Sequence, residues 1–314
     1  MAKKKKETAQ QKTWMPSKKH LVTILMALTL IIAVCAVVFF LFFQQSEVMF
    51  SMNAAIIDQL GESDPSLSNS TFVEKATNIL ESRNFTVTYY NETLNVDFFK
   101  KLAEYNYGIL VLRVHSALRE NNLTVDLFTS ERYVSDKYEW ELEHGLLVRG
   151  KYLNRPESYF AITSLFIDNL AGRFPKSVII AMGCWSLKPG CEEMALAFLN
   201  KGAKAYVGWN ETVAADDTDC ETTVFLEKFL SENETLANAI AFTHSHVYYD
   251  PFIQKTVTTR MNFCPVPPSI ANLTISDLIA EAQNSKALPM FEYFELFSFL
   301  IVNINFESKD FSTD

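Results

Sequence analysis

The chain has 314 residues, 48% of them hydrophobic and 21% charged, and a formal net charge of −9. That mixture excludes a wholly disordered chain and allows one or two domains with a full-sized core. It also excludes a nucleic-acid surface, because phosphate binding needs a clustered positive field and here acids outnumber bases.

Residues 1–20 carry Lys3, Lys4, Lys5, Lys6, Lys12, Lys18 and Lys19 against a single acid, Glu7. The stretch from Leu21 to Phe43, LVTILMALTLIIAVCAVVFFLFF, follows without a charge. At about 1.5 Å per residue a helix of that length crosses a bilayer. Gln44, Gln45, Ser46 and Glu47 come next rather than a small-residue cleavage site, so the sequence predicts an uncleaved signal anchor. Positive flanks stay in the cytosol, which places the N-terminus inside and the main domain outside a cell membrane. Beyond the anchor 21 basic residues face 36 acidic ones.

Seven Asn-x-Ser/Thr acceptors, at Asn69, Asn84, Asn91, Asn122, Asn210, Asn233 and Asn272, all follow the anchor and fit a glycosylated, archaeal or eukaryotic surface protein. Cys35 lies in the anchor; outside it, Cys184, Cys191, Cys220 and Cys264 are expected to pair, with three connectivities open.

In chain order, 49–59 reads as a strand, 72–82 as a helix, 84–90 as a strand, 98–105 as a helix and 107–117 as a continuous buried strand. This alternation predicts an α/β domain: a mostly parallel sheet with helices on both faces. The segment 124–161 breaks the rhythm and reads as an insertion over one sheet edge, with a hairpin around LLVRGKYL, Leu146 to Leu153. A helix over 164–173 turns Leu165, Ile167 and Leu170 inward. Then come a strand over 177–182, a helix over 192–200 ending at Gly202, a strand over 203–209, and helices over 223–230 and 236–242. Past Cys264 the text CPVPPS marks a boundary. The expected organisation is thus a basic cytosolic tail (1–20), an anchor (21–43), an extracytoplasmic domain (44–264) and a C-terminal extension (265–314). The extension holds a helix over 275–283 and a strand over 296–302.

In parallel α/β sheets reactive groups gather at the carboxyl ends of strands. His115 closes ILVLRVH and Cys184 closes VIIAMGC, and on neighbouring strands about 4.8 Å apart imidazole and thiol can meet. An adjacent imidazole lets the reactive thiolate form. Gly183 leaves room for the backbone to turn. A cysteine ending a buried strand is also a common inert packing residue, and that alternative stays open.

These residues, HSA after one buried strand, GC after the next, then EEMALAFLNKGAKAYVGWNETVAADDTD, resemble the caspase-like (clan CD) cysteine peptidases, especially their CHAT-domain branch. The likeness covers about Ala54 to His246 and is most specific from Cys184 to Asp219. It implies that His115 is the general base or proton donor and Cys184 the nucleophile on a peptide carbonyl. Backbone N–H groups of Cys184 and of Ser116 and Ala117, with Gly183 beside them, would hold the oxyanion. The family often has glycine directly after the histidine, where this chain has Ser116 and Ala117, and no QACRG pentapeptide is present. Asp216, Asp217 and Asp219 follow the next strand, where related peptidases build a substrate pocket. Acids there favour Arg or Lys substrates. Trp209 either lines that pocket or closes the sheet.

His244 and His246 share a face on a strand, but no third ligand accompanies them, so no metal or other cofactor is expected. The expected partners are the bilayer, through 21–43, and a peptide or protein substrate. Two other readings are a caspase-like binding or scaffold module with a disabled dyad and, through the D-x-D of Asp217 and Asp219, a type II glycosyltransferase.

Overall fold

A computed structural model describes residues 26–27, 29–34, 49–119, 123–152, 156–250 and 253–286. It divides into a unit before Val48 and one from Val48 onward. In the first, 26–27 and 29–34 are helical and exposed. The rest of the expected anchor, its basic flank, Cys35, Asn122 and the strand expected over 296–302 lie outside the described residues. Among the described residues no helix is long and apolar enough to cross a membrane.

The second unit begins with β1 (Asn53–Asp58) and α1 (Gln59–Ser63), followed by α2 (Ser70–Ser82) and β2 (Thr86–Tyr90). In α2, Phe72, Ala76 and Leu80 repeat at helical spacing and are buried, while the Asn69 side chain accepts from Phe72 N and caps the first turn. Next come α3 (Val96–Lys100), β3 (Ile109–Arg113), β4 (Ser116–Leu118), β5 (Val125–Arg132), α4 (Glu139–Glu143), β6 (Leu147–Lys151) and β7 (Ser158–Ile162). The chain continues through α5 (Ser164–Asp168), β8 (Val178–Ala181), α6 (Glu193–Asn200), β9 (Ala205–Trp209), α7 (Ala215–Leu226) and α8 (Leu236–Ala241). The last described elements are β10 (His246–Asp250), β11 (Lys255–Thr259), β12 (Met261–Cys264), α9 (Pro268–Ala271) and α10 (Ile275–Lys286).

A six-stranded sheet runs in the order β12-β9-β8-β3-β1-β2, parallel throughout except for β12 on the β9 edge. The fold is therefore α/β with a mixed, mostly parallel sheet. Side chains alternate across it. Leu110, Leu112 and Val114 join a core beneath α3, α5 and α6, whereas Ile109 and Val111 join one beneath α2, α7, α8 and α10. Burial on both faces explains why these strands read as continuous apolar runs. Ile270, Leu273, Ile275 and Leu278, beyond the proline-rich stretch, pack into the second of these cores.

Four expectations are corrected. The strand expected over 107–117 stops at Arg113 and restarts at Ser116 in a second sheet. That sheet, antiparallel and ordered β4-β5-β7-β6, is what the segment 124–161 builds. One of its faces is cored by Leu127, Leu147, Phe160 and Ile162. LLVRGKYL is not a hairpin but mainly the single strand β6, paired from Leu147↔Ile162 to Lys151↔Ser158. Leu165 is 50% exposed, because α5 is barely one turn long and Phe166 and Ile167 take the inward positions. The helix expected over 223–230 starts at Ala215 and ends in a wider π turn, Glu227–Ser231. Its first turn carries Asp216 and Asp217, which suit the positive end of a helix, so its polar start masked the apolar period.

Candidate functional site

The strands that present His115 and Cys184 are neighbours. β3 and β8 pair in parallel from Ile109↔Val178 to Leu112↔Ala181, and Met182 N still donates to Leu112 O at 2.9 Å. The ladder ends there: His115 lies past the end of β3, and its carbonyl accepts from Phe128 N of β5 at 2.8 Å. Just past this point the Ser116 hydroxyl donates to the Cys184 carbonyl at 2.5 Å, tying the two strand ends together. Gly183 permits the approach: a Cβ there would overlap Ser116 Oγ and lie 2.6 Å from Val114 O. Ala117 is drawn into the β4–β5 ladder opposite Asp126. After Cys184 the chain turns sharply. Trp185 holds φ 56°, a left-handed conformation uncommon for a bulky residue, and Glu211 fixes it by accepting from both its backbone N–H and its indole N–H.

The two side chains have different surroundings. The sulfur of Cys184 accepts from the Thr212 hydroxyl and the Val213 N–H, each at 3.4 Å, and its thiol donates to Val213 O at 3.5 Å. Burial pushes the thiol up from its ordinary range, and the charge of nearby Asp250 adds to the rise. The Thr212 and Val213 bonds oppose the rise without cancelling it. His115 lies toward β1 and the second sheet. Its ring packs against Tyr152, centroids 4.5 Å apart, and Tyr152 stacks on Phe128 at 4.8 Å. Gly150 makes space for Phe128, whose ring a Cβ would meet at 2.5 Å.

Gln59, which the sequence analysis did not single out, holds this side together. Wholly buried, it accepts from His115 N at 2.8 Å and donates to the Tyr152 hydroxyl at 2.7 Å. A glutamine just past a strand carries no sequence signal of such a role. Only its place beside the end of β3 reveals it.

Arg113 was also missed, since a lone cation inside a strand read as continuous and buried gives no sign of its partners. It is fully buried. Nη1 donates to Asp58 Oδ1 at 2.7 Å, while Nε and Nη2 grip the two oxygens of Asp219 at 2.7 and 2.8 Å. Burial alone would lower its pKa, but the bonds and charges of Asp219 and Asp58 outweigh that and raise it, so it stays charged. β1 and β3 flank the point where strand order reverses, the usual place of a ligand crevice. Here the Arg113 cluster fills it.

The three acids expected in one pocket are thus dispersed along α7. Asp219 is 3% exposed and neutralised by Arg113, with Asn69 donating to it as well at 2.9 Å. Asp217 accepts from the Tyr248 hydroxyl and lies 3.6 Å from His246 Nδ1. Asp216 borders a shallow cleft of about 350 Å³ with Cys220 and Lys75. Trp209 closes the sheet: it is fully buried, with its indole N–H on Thr218 Oγ1 at 2.8 Å. The D-x-D therefore does not present two free carboxylates to a metal. His244 and His246 both turn to the buried Glu221, and among the described residues no group of three or more metal-capable side chains converges.

The thiols of Cys184, Cys220 and Cys264 are free, against the expected pairing. Cys184, on the strand-end turn, Cys220, on the exposed side of α7, and Cys264, on an edge strand, sit on separate elements. Of the glycosylation acceptors, Asn84, Asn91, Asn233 and Asn272 are exposed, while Asn69 and Asn210 are half-buried. No family model and no curated protein sequence matches the chain.

Proposed function

We propose that the chain is a membrane-anchored, extracytoplasmic caspase-like cysteine endopeptidase in which His115 assists attack by Cys184. The observation that carries this reading is the clamped pair of strand ends: β3 and β8 are adjacent and parallel, and Ser116 bonds the Cys184 carbonyl. A free Cys184 on a strained turn supports it further. With its thiol protonated and bonded to Val213, the described state is a resting one. Asp217 is the acid of the expected pocket that lies nearest the hairpin beside the sulfur, and a cationic substrate side chain suits it. In this reading the N-terminus is cytosolic, the bilayer holds 21–43, and the exposed acceptors carry glycans.

The test is hydrolysis of a fluorogenic peptide panel with Arg, Lys or neutral residues before the scissile bond, using the full-length protein. Cys184→Ser abolishes turnover, and His115→Ala lowers it roughly 10²- to 10⁴-fold. Cleavage that persists in Cys184→Ser refutes the proposal. The second reading, a binding module with a disabled dyad, draws on one observation: the sulfur's hydrogen bonds run to Thr212 and Val213. It predicts no turnover in any variant.

A further inference from the structure

The hairpin β10–β11 belongs to neither sheet. Among the described residues β10 pairs only with β11, from His246↔Thr259 to Asp250↔Lys255. A two-stranded hairpin by itself is marginally stable in water, so side chains have to hold it in place. Alternate residues of β10 do this. His246, Tyr248 and Asp250 point inward, while Val247 and Tyr249 are 66% and 64% exposed.

Tyr248 and Asp250 meet the surroundings of Cys184, and His246 meets α7. His246 Nε2 lies 3.1 Å from Glu221 Oε1, and its Nδ1 faces Asp217 at 3.6 Å. Tyr248 donates to Asp217, and the backbone of Ala214 bonds its phenol oxygen. Ala214 directly follows Val213, whose N–H and carbonyl both hold the sulfur. Burial and the adjoining Asp217 keep the phenol well above its ordinary range, so Tyr248 is a hydrogen-bond donor at neutral pH. Asp250, fully buried, is close enough for its charge to act on the thiol. A continuous chain of contacts therefore runs from the sulfur through Val213, Ala214 and Tyr248 to α7.

We infer that the β10–β11 hairpin is a latch over Cys184, fastened to α7 by Tyr248–Asp217 and His246–Glu221, and that its release frees the sulfur for reaction. The inference rests on the proposed role of Cys184 for its biological meaning, but its physical content does not. Elements held by a few side-chain bonds open at far lower cost than core strands. The latch thereby explains how a site with a protonated, partly covered thiol becomes accessible without unfolding the sheet beneath it.

Iodoacetamide alkylation of the full-length protein in detergent tests this, with each cysteine followed by peptide mass spectrometry. Exposed Cys220 is an internal reference and Cys264, on β12, reports wider loosening. Tyr248→Phe and the double variant His246→Ala with Tyr248→Phe remove the fastening while leaving Thr212 and Val213 untouched. In the double variant the rate at Cys184 relative to Cys220 rises roughly tenfold or more, as loss of bonds to charged partners implies, and Cys264 is unchanged. Tyr248→Phe alone gives a smaller rise in the same direction. An unchanged Cys184 rate overturns the latch, and so does a parallel rise at Cys264. Alkylation needs no turnover, so faster labelling without peptide cleavage leaves the latch standing and removes the peptidase. Cleavage with unaltered labelling does the reverse.

Discussion

The carboxyl edge of the central sheet has two halves of different construction. On the β1–β3 side, Arg113, Asp58 and Asp219 form a closed and buried network, and beside it the buried Gln59 bonds His115 N and the Tyr152 hydroxyl. On the β8–β9 side, the Cys184 sulfur makes long bonds to a loop, and a hairpin outside both sheets lies beside it. The first half is a fixed platform and carries the histidine's backbone. The second is fastened by side chains that can let go. A fold can thus keep a thiol covered at rest and still hold the neighbouring strand end rigid.

Breaking the platform has the largest expected effect. Arg113→Met leaves Asp58 and Asp219 buried without their cation and costs about 3–5 kcal/mol, seen as a lower urea midpoint. A loss below about 1 kcal/mol would mean that the two halves do not differ in rigidity. Gly183→Ala strikes the seam between them, since the new methyl overlaps Ser116 Oγ and Val114 O; we expect about 1–3 kcal/mol, again from urea unfolding.

The sequence showed the platform's strands but not its network. Apolar runs at Ile109–Arg113 and Val178–Ala181 were plain because parallel strands buried on both faces leave no alternation to misread. The same runs located His115 and Cys184 as strand-end residues. Gln59, Arg113 and Tyr152 were not legible, because their roles depend on partners 55 to 106 positions away, a separation to which local patterns are blind. The acids of α7 were misplaced for a related reason. A polar helical turn looks like a loop until Arg113 is known to face it.

Smaller effects sharpen the contrast. The Cys184 thiol has a raised folded-state pKa, so its contribution to stability is full below the ordinary thiol value of 9.0 and is lost as pH rises through the folded value. Urea midpoints followed from neutral into strongly alkaline pH should fall in the alkaline range, and Cys184→Ala should flatten part of that fall; an identical slope in the variant would place the effect elsewhere. The smallest change comes from Thr212→Val. It removes one bond to the sulfur, costs about 0.5–1.5 kcal/mol, and delays Cys184 alkylation to higher pH because that bond lowers the thiol's pKa.

The central claim is that positions 115 and 184 close neighbouring strands at one edge. It is tested most directly by His115→Cys under mild oxidation. The Ser116 hydroxyl bonded to the Cys184 carbonyl holds the two strand ends together, and a disulfide spans Cα separations of roughly 4.4–6.8 Å. The account predicts that the introduced thiol bridges to Cys184 as the main new cross-link in peptide maps. A map in which the thiol at position 115 stays reduced, or pairs with Cys220 or Cys264 instead, would contradict it.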